Sequence, residues 1–287
     1  MSNLPNDILE YLKKKGFQCS IQEDDESHLI YTTVPDGERV RVILPLDIKA
    51  CNAEEAEEVS SKAFDIIQDL RLQTGGYPLI ITQDRWQYQR EMMEKRLLAH
   101  MEIFAPIYAR NCEIRRIDKN VAKEFLEKSH SYGHAACRYC YGMFLKRHTG
   151  HIAKNDRHGI LPGELVAVAT FSNARKWIKG EQIIRSYEWT RYASLPEVRI
   201  SGGMGRFLKH FIKEVQPDDI MTYSDLEWSE GDVYTRLGFT LEGQKEPVTF
   251  VVDDNWRRIP IKNGVGEGLF FQNFGSNKFR LKLTDYQ

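Results

Sequence analysis

The sequence predicts a mixed α/β (α+β) protein, with a C-terminal mixed sheet flanked by helices behind a smaller N-terminal α/β domain. Three observations predict it. Runs rich in β-branched and aromatic residues alternate with stretches of helical apolar spacing along the chain. The 287 residues suffice for two ordinary domains, and 41% hydrophobic with 28% charged residues is a soluble, globular balance. The charge is also divided. Residues 1–110 carry 13 Lys and Arg against 19 Asp and Glu, and the remainder 27 against 22.

The first domain spans 1–84. "NDILEYLKKK" (6–15) places Ile8, Leu9 and Leu12 at helical spacing behind an Asn/Asp start. "HLIYTTVPDGERVRVILPL" reads as a hairpin, two β-rich runs about a Pro35-Asp36-Gly37 turn. "AEEAEEVSSKAFDIIQDLRLQ" is a helix with Val59, Ala63, Ile66, Ile67 and Leu70 on one stripe, and "YPLIIT" is a short buried strand after a glycine break. Residues 85–111, with "DRWQYQREMMEKRLLAHM", form a connecting helix and linker.

The second domain spans 112–258. It runs from "CEIRRID" through a helix at "NVAKEFLEKSH", strands at "GELVAVATF" and "IIRSYEWTRYASL", and a helix at "GRFLKHFIKEV". A strand at "DDIMTYSD", a short glycine-ended helix at "GDVYTRLGF" and a final strand at "EPVTFVVD" follow. Residues 259–287 are a C-terminal extension, a loop at "NGVGEG" and an edge strand at "KFRLKL".

No apolar run is long enough to span a bilayer, and the N-terminus lacks the basic-then-apolar layout of a signal peptide. A cytoplasmic protein without a membrane partner is expected. Five scattered cysteines fit free thiols. If either half meets nucleic acid, electrostatics favour the C-terminal one.

"SGGMGRFLKHF" (201–211) opens a helix on three glycines, where free backbone N–H groups and the helix dipole suit a phosphate. The order of "FLEKSHSYG", "YEWTRYAS", "SGGMGRFLKHFI" and "TYSDLEWSEGDVYTRLGF" resembles the GNAT (GCN5-related N-acetyltransferase) superfamily over about residues 112–256. Within it, the blocks resemble the acetyltransferase-like domain of phage and mobile-element proteins and, more distantly, Mom-like DNA-modification proteins. The resemblance implies a GNAT-like sheet and acetyl-CoA or another acyl-CoA as cofactor, held by Ser201, Gly202, Gly203, Met204, Gly205 and Arg206. One departure stands out: Ile200, not Arg or Gln, lies three positions before Gly203.

Acyl transfer to an amine needs a base, a polarised carbonyl and a proton for the leaving thiolate. The resemblance implies Tyr234 as the acid. The resemblance also implies Glu188, on the strand before the turn, as a base acting through water, and Asp225, at a carboxyl strand end, is a candidate base or acceptor-binding residue. Strand alternation puts Glu188, Thr190 and Tyr192 on one face and Tyr187, Trp189 and Arg191 on the other. His130, Tyr132, Arg191, Ser224 and Trp228 are candidates for the acceptor side. Structural roles stand beside each: Asp225 as an Asx-turn residue, Trp228 as loop packing, His130 as a helix-end side chain.

Residues 130–158 gather His130, His134, Cys137, Cys140, His148, His151 and His158. His-x-x-Cys-x-x-Cys is a spacing zinc uses, but nothing nearby completes a second pair, so no metal site is assigned. Asp36, Asp47 and Lys49 match a loose Pro-Asp…Asp-x-Lys nuclease pattern, and the N-terminal domain resembles, faintly, Vsr-like endonucleases. Three readings of function follow. The first is an acyl-CoA-dependent N-acyltransferase acting on an amine, a nucleobase among the candidates. The second is a non-catalytic adaptor of the same fold. The third is a metal-dependent nuclease working through the N-terminal domain.

Overall fold

The computed structural model describes residues 3–23, 28–33, 39–147, 160–261 and 267–286. In chain order the first elements are α1 (Leu4–Lys14), β1 (Cys19–Glu23), β2 (His28–Thr33), β3 (Val40–Leu46), α2 (Ala53–Thr74), β4 (Leu79–Thr82), α3 (Gln83–Tyr88) and α4 (Arg90–His100). There follow β5 (Ala105–Tyr108), a 3-10 turn at Ala109–Asn111, β6 (Cys112–Arg116), α5 (Lys119–Ser129), β7 (Tyr139–Leu145), β8 (Leu165–Phe171), β9 (Arg175–Lys179) and β10 (Gln182–Ser194). The last are β11 (Val198–Ser201), α6 (Gly203–Val215), β12 (Asp219–Asp225), α7 (Asp232–Arg236), β13 (Thr240–Lys245), β14 (Thr249–Val252), β15 (Arg258–Pro260), β16 (Leu269–Gln272) and β17 (Ser276–Lys282). The fold is mixed α+β. No helix among the described residues is long and apolar enough to cross a membrane.

The chain forms two compact units. The first comprises residues 1–102, 224–230 and 244–276, and the second 103–223, 231–243 and 277–287. This division differs from the boundaries read in the sequence. The stretch taken as a connecting helix is two helices, α3 and α4, whose Trp86, Met93 and Leu97 are buried in the first unit's core. A connector would present a polar surface all round, whereas these side chains have a sheet to cover. The extension, 259–287, is divided between the units: β16 joins a sheet of the first unit with β14 and β15, while β17 belongs to the second.

In the first unit β1, β2, β3 and β4 form one sheet in that order, with β3 and β4 parallel. The alternating runs of β3 and β4 bury both faces. Ile43 and Ile81 pack on α1, α3 and α4, while Leu44 and Ile80 pack on α2. The α2 stripe differs from the expected one: Ala56, Ser60, Ala63, Ile67 and Leu70 are inside, and Val59 is exposed. Ser60 tolerates burial because its hydroxyl donates to Asn273 O at 3.3 Å. Helix α1 starts at Asn3, whose side chain accepts from Asn6 N–H, so its cap precedes the expected start. Strands β2 and β3 pair antiparallel as expected, and the Pro35-Asp36-Gly37 turn lies outside the described residues.

The second unit holds an eight-stranded sheet in the order β13-β17-β12-β10-β8-β7-β6, with β9 hairpinned onto β10. Ala167, Ala169 and Phe171 of β8 face α6, where Phe211 stacks on Phe171 at 3.9 Å, and Val168 faces Ala122 and Leu126 of α5. The two helices therefore cover opposite faces. The run expected as an edge strand, β17, lies inside the sheet. Its Phe279 and Leu281 turn to the core, while Lys278 and Arg280 are neutralised by Glu242 and Asp219. Paired charges let an alternating strand occupy an interior position. "EPVTFVVD" does not close this sheet, since β14 pairs with β15 and β16.

The first unit is tied by buried charge. Arg258 donates to Asp84 (2.6 Å), to both Glu227 oxygens (2.6 and 2.9 Å) and to Thr82 Oγ1 (3.0 Å), and Arg85 reaches Glu227 at 3.2 Å. These four charged side chains are 2–8% exposed. Removing one partner strands the others without solvent. Arg258→Ala is expected to cost roughly 3–5 kcal/mol, read as a shifted denaturant midpoint. A loss under about 1 kcal/mol, the range of an exposed pair, would show that water replaces the guanidinium at no penalty.

Candidate functional site

The glycine turn is built by β5 and β11, short parallel strands registered from Val198 with Ala105 to Ser201 with Tyr108. Gly202 follows at φ 76°, a left-handed conformation that favours glycine, and as the N-cap of α6 it has no side chain to satisfy the first-turn N–H groups. Gly203 and Gly205 are packed closely instead. A Cβ on Gly203 would lie 3.1 Å from Tyr192 Oη and Ile200 Cγ2, and one on Gly205 3.1 Å from Leu237 Cδ2.

The turn opens onto a groove of about 860 Å³. Four cations line it, Arg110, Arg206, Lys209 and Arg236, and no carboxylate does. None of the four forms an ion pair among the described residues. Arg206 donates to Ala109 O, which holds the helix start against the 3-10 turn that carries Arg110. Leu237, Leu281 and Leu283 with Ile212 supply an apolar wall. Free helix N–H groups, four unpaired cations and an apolar flank suit an elongated polyanion with a hydrocarbon-like segment.

Beside the turn, β10 and β12 run parallel but pair only from Ser186–Asp219 to Glu188–Met221, although the strands continue to Ser194 and Asp225. A bulge between Trp189 and Arg191 shifts β10 against β8 at the same level. It also breaks the expected alternation of faces: Trp189 and Tyr192, three residues apart, meet edge to face at 6.3 Å. Thr222 Oγ1 donates across the gap to Trp189 O at 3.1 Å. Thr222 also lies against the Tyr234 hydroxyl. Burial pushes the Tyr234 phenol up, and the Thr222 contact opposes this. Tyr234 therefore keeps its proton at neutral pH. Its ring rests on Trp189, Phe239 and Phe279.

Four of the expected acceptor-side and base residues come together. Arg191 donates from Nε to Gly133 O (3.0 Å) and from Nη1 to Thr190 O (2.8 Å), and Glu188 and Tyr132 lie close enough to act on its charge. Tyr132 N–H donates to His130 Nδ1 at 3.1 Å. Burial pulls the Arg191 pKa down, against the Glu188 carboxylate.

Ser224, Asp225 and Trp228 fall in the first unit. Ser224 Oγ donates to Ser229 O at 2.8 Å, and Asp225 Oδ1 accepts Glu227 N–H at 2.9 Å, an Asx turn. Trp228 is covered by the Arg96 guanidinium, 3.6 Å from its ring. Asp47 pairs with Lys49 at 3.2 Å, and Asp36 lies outside the described residues. His148, His151 and His158 also lie outside them. Among the described residues no group of three or more His, Cys, Asp or Glu forms a metal cage. Sequence reasoning missed Arg110, Lys209 and Arg236. Lys209 had a signal, one helical turn past Arg206, whereas the other two reach the groove only through tertiary contact.

No family model and no curated relative matches the chain. Among solved structures, it is similar to a ribosomal-protein-S5-alanine acetyltransferase from Vibrio fischeri (12% identity, TM-score 0.37, 62% of this chain and 96% of that one). It is also similar to a spermidine N-acetyltransferase from Vibrio cholerae in complex with CoA and spermine (12%, 0.33, 60% and 96%). A third is a GNAT-family acetyltransferase from Bacillus anthracis (14%, 0.31, 60% and 95%).

Asp225 yields a pH prediction. Burial first, then the Glu227 charge, push its carboxyl up to about 6, against Arg85, Arg258 and the Glu227 N–H. An unfolded aspartate titrates near 4, so between about 4 and about 6 the folded state binds more protons. Its contribution to stability falls as pH rises through that window. Asp225→Asn is expected to melt above wild type at pH 8, with the difference shrinking toward pH 5. A variant less stable at pH 8, with an unchanged pH slope, would assign that slope elsewhere.

Proposed function

We propose that the second unit is an acyl-CoA-dependent N-acyltransferase, with the acyl-CoA diphosphate held at the Gly202–Arg206 turn. The observation that carries this is the carboxylate-free groove, where four unpaired cations converge on an uncapped helix N-terminus beside the parted strands β10 and β12. Acyl-CoA, when bound, supplies an activated thioester carbonyl. The chain supplies the rest. Arg110, Arg206, Lys209 and Arg236 neutralise phosphate charge, and the first-turn N–H groups of α6 orient it. Beyond Glu188 β10 is no longer laddered to β12, and its carbonyls at Trp189, Thr190 and Arg191 accept from Thr222, Arg191 and Trp189 side chains instead. Tyr234 carries the proton for the leaving thiolate, and Glu188, where the strands part, takes one from the amine. A free amine is the acceptor, and a nucleobase amine falls within that class.

Of the nuclease pattern, Lys49 and Asp47 pair with each other at 3.2 Å. An adaptor of the same fold would bind acyl-CoA and stop there, so binding and transfer are tested separately. At a hundredfold excess over Kd, acetyl-CoA is expected to add about 2.7 kcal/mol, a melting shift of roughly 5–10 °C. Arg206→Glu should abolish the shift. No shift with wild-type protein at millimolar acetyl-CoA removes the cofactor from the proposal.

Tyr234→Phe should retain the acetyl-CoA shift while slowing acyl transfer to a polyamine or nucleoside amine by about 10²–10⁴. Equal rates for variant and wild type would take the acid role from Tyr234.

A further inference from the structure

We propose that Cys137 and Cys140 form a redox-active dithiol that closes to an internal disulfide by exchange with small-molecule disulfides, fixing the segment 130–138. The description of that segment as acceptor-side rests on the transferase reading, but the thiol chemistry does not.

The two sulfurs are 3.3 Å apart, so about 1 Å of closure, a rotation about Cα–Cβ, reaches bonding distance. The backbone is pinned at Cys140 and at Arg138, next to Cys137. Cys140 is buried in β7, paired with Thr170, and its carbonyl accepts Ile117 N–H at 3.0 Å. Arg138 N–H, between the two, donates to Phe171 O at 2.8 Å. Cys137 precedes the strand and is half-buried. The other cysteines touch oxygen instead: Cys19 lies on Thr32 Oγ1, Cys51 on Lys49 O and Cys112 on Tyr108 O.

Accessibility sets the order of events. The Cys137 thiolate attacks one sulfur of glutathione disulfide, that S–S bond breaks, and one glutathione leaves. The Cys140 thiolate then attacks the Cys137 sulfur, forming the internal bond and releasing the second glutathione. Two protein thiols are oxidised, one small disulfide is reduced to two thiols, and the two cysteine protons end on glutathione. Burial opposes the Cys140 thiolate, while nearby Lys119 and Arg116 favour it. The consequence falls on the segment between α5 and β7. There Gly133 O holds Arg191, and His134 N–H donates to Glu127 Oε1 at 3.1 Å. A disulfide anchors the C-terminal end of this segment to β7.

The full chain is incubated in glutathione buffers from reducing to oxidising, quenched in acid, alkylated and digested with trypsin without reductant. Cleavage after Lys128, Arg138 and Lys146 puts the two cysteines on different peptides, SHSYGHAACR and YCYGMFLK. The expected result is a linked pair of these two peptides in oxidising buffer, lost on adding dithiothreitol, and three alkylated cysteines where the reduced protein has five. Cys137→Ser should abolish the linked pair and leave Cys140 alkylatable after unfolding. Hydrogen exchange of the amides at 131–136 should slow several-fold on oxidation. Five alkylatable thiols at every ratio, a lasting glutathione adduct on Cys137, or zinc retained by the purified protein would overturn the dithiol. A disulfide that leaves exchange at 131–136 unchanged would overturn its effect on the segment.

Discussion

The second unit depends on where the parallel ladder between β10 and β12 ends. Backbone N–H and C=O groups inside a sheet must be paired, so an interior ladder does not stop without a cause. Here the cause is the bulge at Trp189–Arg191, which re-aims β10 just past Glu188. The bulge is held from both sides. Phe171 stacks on Trp189 at 5.3 Å and on Phe211 of α6, and Thr222 satisfies the first carbonyl left open. A gap in an interior ladder must be answered group by group, and here side chains do it: Arg191 donates to Thr190 O and Trp189 Nε1 to Arg191 O. The parted strands are thus a structural commitment, maintained by aromatic packing, and they lie beside the glycine turn.

Arginine has two opposite fates in this chain. In the first unit Arg258 and Arg85 are buried and fully engaged by Asp84 and Glu227, where the low local dielectric makes an unpaired charge untenable. In the groove Arg110, Arg206 and Arg236 form no ion pair among the described residues; Arg206 donates to Ala109 O and Arg110 lies over the Tyr108 ring. Four like charges around one helix terminus repel one another and add to its positive end, so the arrangement works against folding stability. Such an accumulation is relieved by an anion. Its persistence beside an uncapped turn favours a binding role over a purely structural corner.

The fold was legible where a single element carries its own signal. Helices α5 and α6 and strands β8, β10 and β12 lie where the apolar spacing puts them, because each buries one strong stripe or a continuous apolar run. What escaped is what tertiary pairing decides. β17 alternates like an edge strand and is interior only because Glu242 and Asp219 answer its cations. The residues 224–230 continue "TYSD" without a break, yet they pack with Arg85, Tyr77 and Arg71, none of which a local reading connects to them. The same holds for the site. The turn was readable from three glycines before an amphipathic helix, whereas Arg110 and Arg236 enter the groove from elements far away in sequence. The face assignment around Glu188 failed because a bulge shifts the two-residue period, and a bulge has no mark in "YEWTRY".

Thr222 joins the end of the ladder to the proposed acid. Its hydroxyl donates to Trp189 O at 3.1 Å, and its contact with Tyr234 works against the burial that pushes the phenol up. The geometry at Trp189 O therefore fixes more than the end of a ladder. The carbonyl freed by the bulge orients Thr222, Thr222 lies against the phenol, and desolvation of the phenol keeps it protonated at neutral pH. Sheet register and the setting of the proposed acid meet at the same backbone irregularity.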